Sequence, residues 1–323
     1  MLRHRLITGP LMIALLLGLL LVDGWIDRIP LTGSPVEPLF LGRSVLPAGL
    51  IMLGLFIVLI LLGVRELVRI VRAKGVEVSY AMAALGAIIG CVLMYIIPHH
   101  LESQTTLAIH GTAMVLIFGA ALFNHSYFQQ RTQGAILAGA VTLFIMIYCG
   151  VLPGFYLGIR RWHSPWVVAT IMLCTKSCDI GAYFTGRLLG RHKLILWLSP
   201  GKTWEGLAGG ILLSILLTVC LAALANRFDL MGRHDVLASG QRVYHQFDVP
   251  LWYAALGGLL LGFFGQVGDL TASLFKRDAG IKDSGRSIPG FGGVLDVVDS
   301  PILVAPLAYW LLVLAAELAK KAS

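Results

Sequence analysis

The chain has 323 residues, 57% of them hydrophobic and only 13% charged, with a formal net charge of +8; its mean hydropathy is +0.83. Soluble domains carry roughly 25% charged residues, so a water-soluble globular protein is excluded, and continuous rather than alternating apolar runs exclude a β-barrel. The basic groups gather at the ends of apolar runs, where anionic lipid headgroups and the positive-inside rule account for them without nucleic acid as a partner.

In chain order, apolar runs near the roughly 20 residues that a spanning helix needs predict nine transmembrane helices. They fall at 6–24, 45–63, 79–97, 107–124, 134–155, 165–186, 206–226, 251–269 and 301–317. The expected fold is an all-α polytopic membrane protein. The first run could pass for a signal peptide, but no convincing small-residue cleavage site follows it, and it reads as a helix. Arg3 and Arg5 precede the first span; Arg65, Arg69, Arg72 and Lys74 follow the second. Arg187, Arg191 and Lys193 follow the sixth, and Lys276, Arg277, Lys282 and Arg286 the eighth. All face one side if the N-terminus is cytoplasmic, which predicts a multi-pass protein of the cell inner membrane with a cytoplasmic active site. Arg160-Arg161 and Lys320-Lys321 run against this pattern.

The chain divides by chemistry into an N-terminal scaffold, 1–160, and a C-terminal catalytic region, 161–323, with cytoplasmic loops 187–205 and 270–300. Five cysteines lie in or beside apolar runs and make no disulfide framework. His99, His100 and His110 lack a dense set of carboxylate or cysteine neighbours and read as interfacial or packing groups.

In the sixth span, Asp179 is a carboxylate at mid-membrane depth. Its cost is several kcal/mol unless it meets a polar cavity, a cation or a ligand; a structural pair with Lys176, three residues earlier on the same face, is the alternative. Ser199-Pro-Gly-Lys202-Thr203-Trp204-Glu205-Gly206 precedes the seventh span and suits either an interface anchor or a nucleotide or headgroup clamp. Gly201-Lys-Thr holds only the last three letters of a P-loop. The most polar stretch follows the eighth span. On a continued helix Asp269, Ser273 and Lys276 or Arg277 form one stripe. Asp296 and Asp299, three apart, share a helix face after a glycine turn. Two acidic faces brought together would offer Mg2+ an oxygen-rich site completed by water and substrate phosphate. Lys276, Arg277 and Lys282 would hold phosphates, and the amides of Pro289-Gly-Phe-Gly292-Gly293 could contact phosphate as well.

The run Ser273-Leu-Phe-Lys276-Arg277, Lys282-Asp283, Pro289-Gly-Phe-Gly-Gly293 and Asp296-Val-Val-Asp299 resembles the signature of the phosphatidate cytidylyltransferases, S-x-x-K-R, K-D, P-G-H-G-G and D-R-x-D. Asp179 with Ala182-Tyr183 and Gly186-Arg187, and the block Ser199 to Gly206, resemble two further stretches of that family. The resemblance covers about 165–300. It implies CTP and phosphatidic acid as substrates, CDP-diacylglycerol and pyrophosphate as products, and a homodimer among membrane lipids. By the same resemblance Asp269, Asp296 and Asp299 would hold Mg2+, with K+ as a second cation. Ser273, Lys276, Arg277 and Lys282 would contact phosphates, and with Asp269 and Asp283 they would form the catalytic set. Asp179, Lys202, Thr203, Trp204, Glu205, Gly292 and Gly293 would bind substrate. Two positions depart from the pattern: Phe291 stands for His and Val297 for Arg.

Rival readings are a CTP-dependent polyprenol or phytol kinase, an ion-coupled transporter with Asp179 as its relay, and a non-catalytic scaffold. The complete C-terminal block favours nucleotidyl transfer over the kinase. The lopsided polarity, without matching halves, counts against the transporter.

Overall fold

The computed structural model describes residues 2–27, 29, 46–97, 103–130, 132–228, 230, 232–236, 242–245, 248–285, 287–288, 290 and 292–322. Its helices are α1 Leu2–Ile26, α2 Leu50–Arg72, α3 Tyr80–Ile96, α4 Ser103–Gln129 and α5 Ala135–Ile145, which runs through a π-helical turn, Met146–Val151, into α6 Leu152–Trp162. They continue as α7 Pro165–Leu189, α8 Trp204–Phe228, α9 Leu251–Asp278 and α10 Leu295–Ala322. Two short antiparallel hairpins interrupt the helices. One is β1 Lys193–Ile195 with β2 Ser199–Thr203, and the other β3 Arg233–Val236 with β4 Arg242–His245.

Among the described residues eight helices are long and apolar enough to cross a membrane, and α3 is apolar but shorter. The expectation of an all-α polytopic protein holds, and each of the nine predicted runs falls on a helix or on the continuous α5–α6 rod. α4 shows why the medium must be lipid: Leu107, Val115, Leu116, Phe123 and Phe128 all lie well exposed along it. A helix apolar on its outward face has no stable place in water.

Several boundaries differ from the sequence expectation: α4 runs to Gln129, the α5–α6 rod to Trp162, and α10 begins at Leu295 rather than 301; three further differences bear on the polar region. The second span reaches Arg72 rather than ending at 63, and the eighth reaches Asp278 rather than 269. The segment 187–205 is not a plain loop but the end of α7 plus the β1–β2 hairpin. The cause is the same for both helices: their charged last turns have partners. Glu66 and Arg69 of α2 bond to the loop before α10, and the Arg72 guanidinium donates to the Val78 carbonyl oxygen at 2.6 and 3.0 Å. In α9, Lys276 pairs with Asp296, and Arg277 donates to the carbonyl oxygens of Leu198 and Ile281.

α7, α8, α9 and α10 pack side by side, α10 also lies against α6, and α1 against α7, so segments before and after residue 160 share one apolar core. Close approach among α7–α10 depends on small residues, as membrane helices require where no hydrophobic driving force pulls them together. The case nearest the charged residues is Gly268 on α9, where a Cβ would lie 2.6 Å from the Asp299 carbonyl oxygen and 3.0 Å from Ser300 Cα of α10. Two carboxylates cap helix starts from elsewhere in the chain. Asp23 Oδ1 accepts from the amides of Ile51 and Met52 at the start of α2, and Glu66 does the same for α10. On the face bearing Asp23, Arg160 is fully buried. It donates to Asp23 Oδ2 at 2.6 Å and Asp27 Oδ2 at 2.5 Å, while Arg161 donates to the carbonyl oxygens of Tyr95 and Ile97, each at 2.8 Å. The two arginines that run against the charge pattern are therefore a neutralised buried pair partner and a helix-end ligand, not loop charges.

Candidate active site

Asp179, at mid-length of α7, is held by one lysine and two neutral donors. Its Oδ2 accepts from Lys176 Nζ at 3.1 Å and Ser300 Oγ at 3.1 Å, and its Oδ1 accepts from Gln266 Nε2 at 2.8 Å. The same Lys176 lies 3.4 Å from Asp299 Oδ1, whose side chain is 6% exposed. From the other side Lys202 reaches Asp269 Oδ2 at 2.8 Å and Gln266 Oε1 at 2.8 Å. Asp269 and Asp299 stand within hydrogen-bonding reach of each other. This proximity requires Gly268, whose lack of a Cβ lets α9 touch the α10 backbone one residue away from Asp269. Three carboxylates from α7, α9 and α10 thus meet two lysines from α7 and β2. The set is one negative charge in excess when all five are ionised, inside an apolar bundle where unpaired charge is costly.

A second network lies beside the first. Asp296 Oδ1 accepts from Lys276 Nζ at 2.8 Å, and its Oδ2 accepts from the amides of Ser284 at 2.9 Å and Gly293 at 2.8 Å. Ser284 Oγ lies 3.0 Å from that same oxygen and 2.8 Å from Glu66 Oε2. The pair read as one acidic face therefore divides: Asp299 faces Asp269, and Asp296 faces Lys276 and the turn. Likewise the α9 stripe does not converge. Asp269 meets Lys202, Lys276 meets Asp296, and Arg277 ties the β1–β2 hairpin to the end of α9 through its 3.4 Å bond to the Leu198 carbonyl oxygen. Ser273, one turn beyond Asp269, is half-buried, and Lys282 and Asp283 are exposed.

Around Lys202 the hairpin is held by local bonds. Thr203 Oγ1 accepts from the Gly206 amide at 3.1 Å and caps α8. The Glu205 carboxylate accepts from the Arg191 and His192 amides and contacts His192 Nδ1 at 2.6 Å. Trp204 is 58% exposed. Of the glycine turn, the Gly292 amide donates to the Ile288 carbonyl oxygen and the Gly293 amide to Asp296. Gly292 has φ +100°, a conformation that glycine alone adopts readily. Phe291, His99, His100, Pro289 and Arg286 lie outside the described residues. Val297, the other departure, is half-buried in the first turn of α10.

Lys176, Gln266, Ser284, Ser300 and Glu66 belong to these networks and were not singled out as site residues from sequence. Lys176 was visible only as the partner of Asp179. Glu66, hidden among arginines at the end of an oily run, carried no signal beyond being a carboxylate near a span.

The donor set can be tested against Mg2+. That ion binds through one or two carboxylates and takes its other ligands from water and substrate phosphates. The face-to-face Asp269–Asp299 pair is of this kind, whereas no cluster of three or more His, Cys, Asp or Glu side chains fit to hold a metal occurs among the described residues. The residues present fit a cation shared with a phosphate ligand rather than a closed protein cage.

Comparison with known proteins bears on which chemistry this is. The chain is 32% identical to the phosphatidate cytidylyltransferase of Bacillus subtilis over 253 residues, 77% of this chain and 84% of that protein. It is 29% identical to the enzyme of that name from Synechocystis over 341 residues, 96% of both chains. With the one from Staphylococcus saprophyticus it shares 29% identity over 270 residues, 83% of this chain and 92% of the relative. The profile of the cytidylyltransferase family matches residues 36–315. That match takes in the scaffold helices from α2 onward and every residue of the carboxylate–lysine cluster, and the chain belongs to the cytidylyltransferase family.

Proposed function

We propose that the protein transfers the cytidylyl group of CTP to phosphatidate, giving CDP-diacylglycerol and pyrophosphate. The observation that carries the reading is the Asp269–Asp299 pair held between Lys176 and Lys202 inside a membrane bundle, in a chain whose relatives bear that activity in their names. A phosphatidate oxygen attacks the α-phosphorus of CTP. A new P–O bond forms, the bond from the α-phosphorus to the oxygen bridging to the β-phosphate breaks, and pyrophosphate leaves with that electron pair. The nucleophile is already anionic, so alignment and charge neutralisation matter more than a general base.

In this reading Lys202 and Lys176 leave their carboxylates in part to meet substrate phosphates, Lys276 and Arg277 border the entry from the aqueous side, and Asp269 and Asp299 hold the cation. Mg2+, when bound there, would neutralise phosphate charge and polarise the phosphorus under attack. K+ as a second cation and the homodimer rest on the family resemblance. A cytoplasmic active site in the inner membrane is supported by the basic ends of α2, α7 and α9, and by the burial or bonding of Arg160 and Arg161, which removes two counter-examples to the positive-inside pattern.

The test supplies purified protein with phosphatidic acid, Mg2+ and CTP labelled at either the α- or the γ-phosphorus. Label in the lipid from the α position alone, lost in Asp269→Asn, is the expected result. Label from the γ position with a prenyl alcohol would instead make the protein a lipid kinase.

A further inference from the structure

Glu66 lies near the end of α2, outside every stretch that resembles the family signature, and is 5% exposed. Its carboxylate is the hub of the segment between α9 and α10. Oε1 accepts from Ser287 Oγ at 2.7 Å and the Val294 amide at 2.9 Å; Oε2 accepts from Ser284 Oγ at 2.8 Å and the Leu295 amide at 3.0 Å. One turn further along α2, Arg69 donates to the Ser284 carbonyl oxygen. Val294 immediately precedes α10 and Leu295 is its first residue, and their amides are among those that a helix start leaves without partners of its own. Glu66 therefore acts as an N-cap supplied by another helix, with its negative charge at the positive end of α10.

The segment is built to wrap this carboxylate. A Cβ on Gly293 would collide with Glu66 Oε2 and Ser284 Oγ, and one on Gly285 with Glu66 Oε1. Asp296 sits in the turn so fixed and Asp299 one turn beyond it. The place where α10 begins thus sets where Asp299 points, and Asp299 is half of the carboxylate pair.

We propose that Glu66 is a positioning residue for nucleotidyl transfer: by capping α10 from α2 it sets the register and direction from which Asp299 meets Asp269. Two of the glycines in the Gly290–Gly293 and Gly285 turns are there to admit this carboxylate, in place of a direct phosphate contact at Gly293. The kinetic part of this inference rests on the cytidylyltransferase reading; the structural part does not.

Glu66→Gln replaces one acceptor oxygen by a donor facing amides and hydroxyls. Gly293→Ala attacks the same contact from the loop and leaves α2 intact, so it carries the test if the first variant fails to fold. Hydrogen exchange of detergent-solubilised protein, followed by mass spectrometry, is read together with kcat and with the KM for CTP and for phosphatidate. Both variants are expected to exchange faster across 284–299 with little change in the other helices, to lose at least tenfold in kcat, and to keep the KM for phosphatidate within twofold. Wild-type exchange in that segment, or wild-type kcat despite faster exchange, overturns the proposal. So does faster exchange throughout the chain with activity falling in proportion to the folded fraction, because Glu66 would then be a general packing group. Wild-type protein that transfers no label would sink the reaction, while the exchange pattern would still decide whether Glu66 clamps α10.

Discussion

Lys176→Met removes one of two cations from the three-carboxylate cluster without touching a carboxylate. The ammonium lies 3.1 Å from Asp179 Oδ2 and 3.4 Å from Asp299 Oδ1, and the side chains of Lys176, Asp179 and Asp299 are 36%, 28% and 6% exposed. At such separations an effective dielectric near 20 gives each pair about 5 kcal/mol of Coulomb attraction, most of it offset by the desolvation of both ions. The Asp179 end reaches solvent, so its share falls to about 0.5 kcal/mol. Asp299 does not reach solvent, and stranding a buried carboxylate costs about 3–5 kcal/mol. With the partial exposure of Lys176, the lower end applies, and Lys176→Met is expected to cost about 3 kcal/mol.

Asp299→Asn should be close to neutral, because it relieves the repulsion with Asp269 while Lys176 keeps Asp179. The double variant should therefore recover about 2 kcal/mol of the single-variant loss as a coupling energy. Reversible unfolding in mixed detergent, with the four proteins of the cycle compared at one temperature without Mg2+, measures it. Costs that add to within about 0.5 kcal/mol would show that the two groups do not interact, and the charge balance assigned to the site would be wrong.

Gly268→Ala should cost about 1–3 kcal/mol as an overpacked contact and lower kcat at least tenfold, since it pushes α9 from α10 where Asp269 meets Asp299; thermal unfolding and the label-transfer assay check the two parts separately. Arg160→Met should cost about 3–5 kcal/mol by removing the guanidinium that pairs with the buried Asp23 carboxylate and also meets Asp27, read as a large fall in Tm, and should leave kcat of the folded fraction unchanged. Lys282→Cys in a background without the five native cysteines should react with a membrane-impermeant thiol reagent in inside-out membranes and not in intact cells. The reverse pattern would place this loop on the outer side.

Legibility followed the range of the forces involved. Apolar runs, charge deficit and basic helix ends are properties of contiguous residues, so nine hydrophobic segments, their medium and the C-terminal location of the polar block could be read directly along the chain. The carboxylates were legible as well, because an acid such as Asp179 in the middle of a span must be compensated somewhere. What could not be read was the partner of each. Asp296 and Asp299 share a helix face by spacing, yet the tertiary structure assigns one to Lys276 and the glycine turn and the other to Asp269 and Lys176. The ends of α2 and α9 extended past the predicted limits because their charged last turns found acceptors more than a hundred residues away or across a turn. Glu66 is the clearest case: in sequence it is one acid among three arginines, and only the packing of α2 against the start of α10 puts two helix amides and two hydroxyls around it. The sequence by itself determined the solvent, the span pattern and the family. The tertiary structure alone decided which buried charge neutralises which, because that pairing depends on ångström-scale approach between distant helices, and no local pattern encodes it.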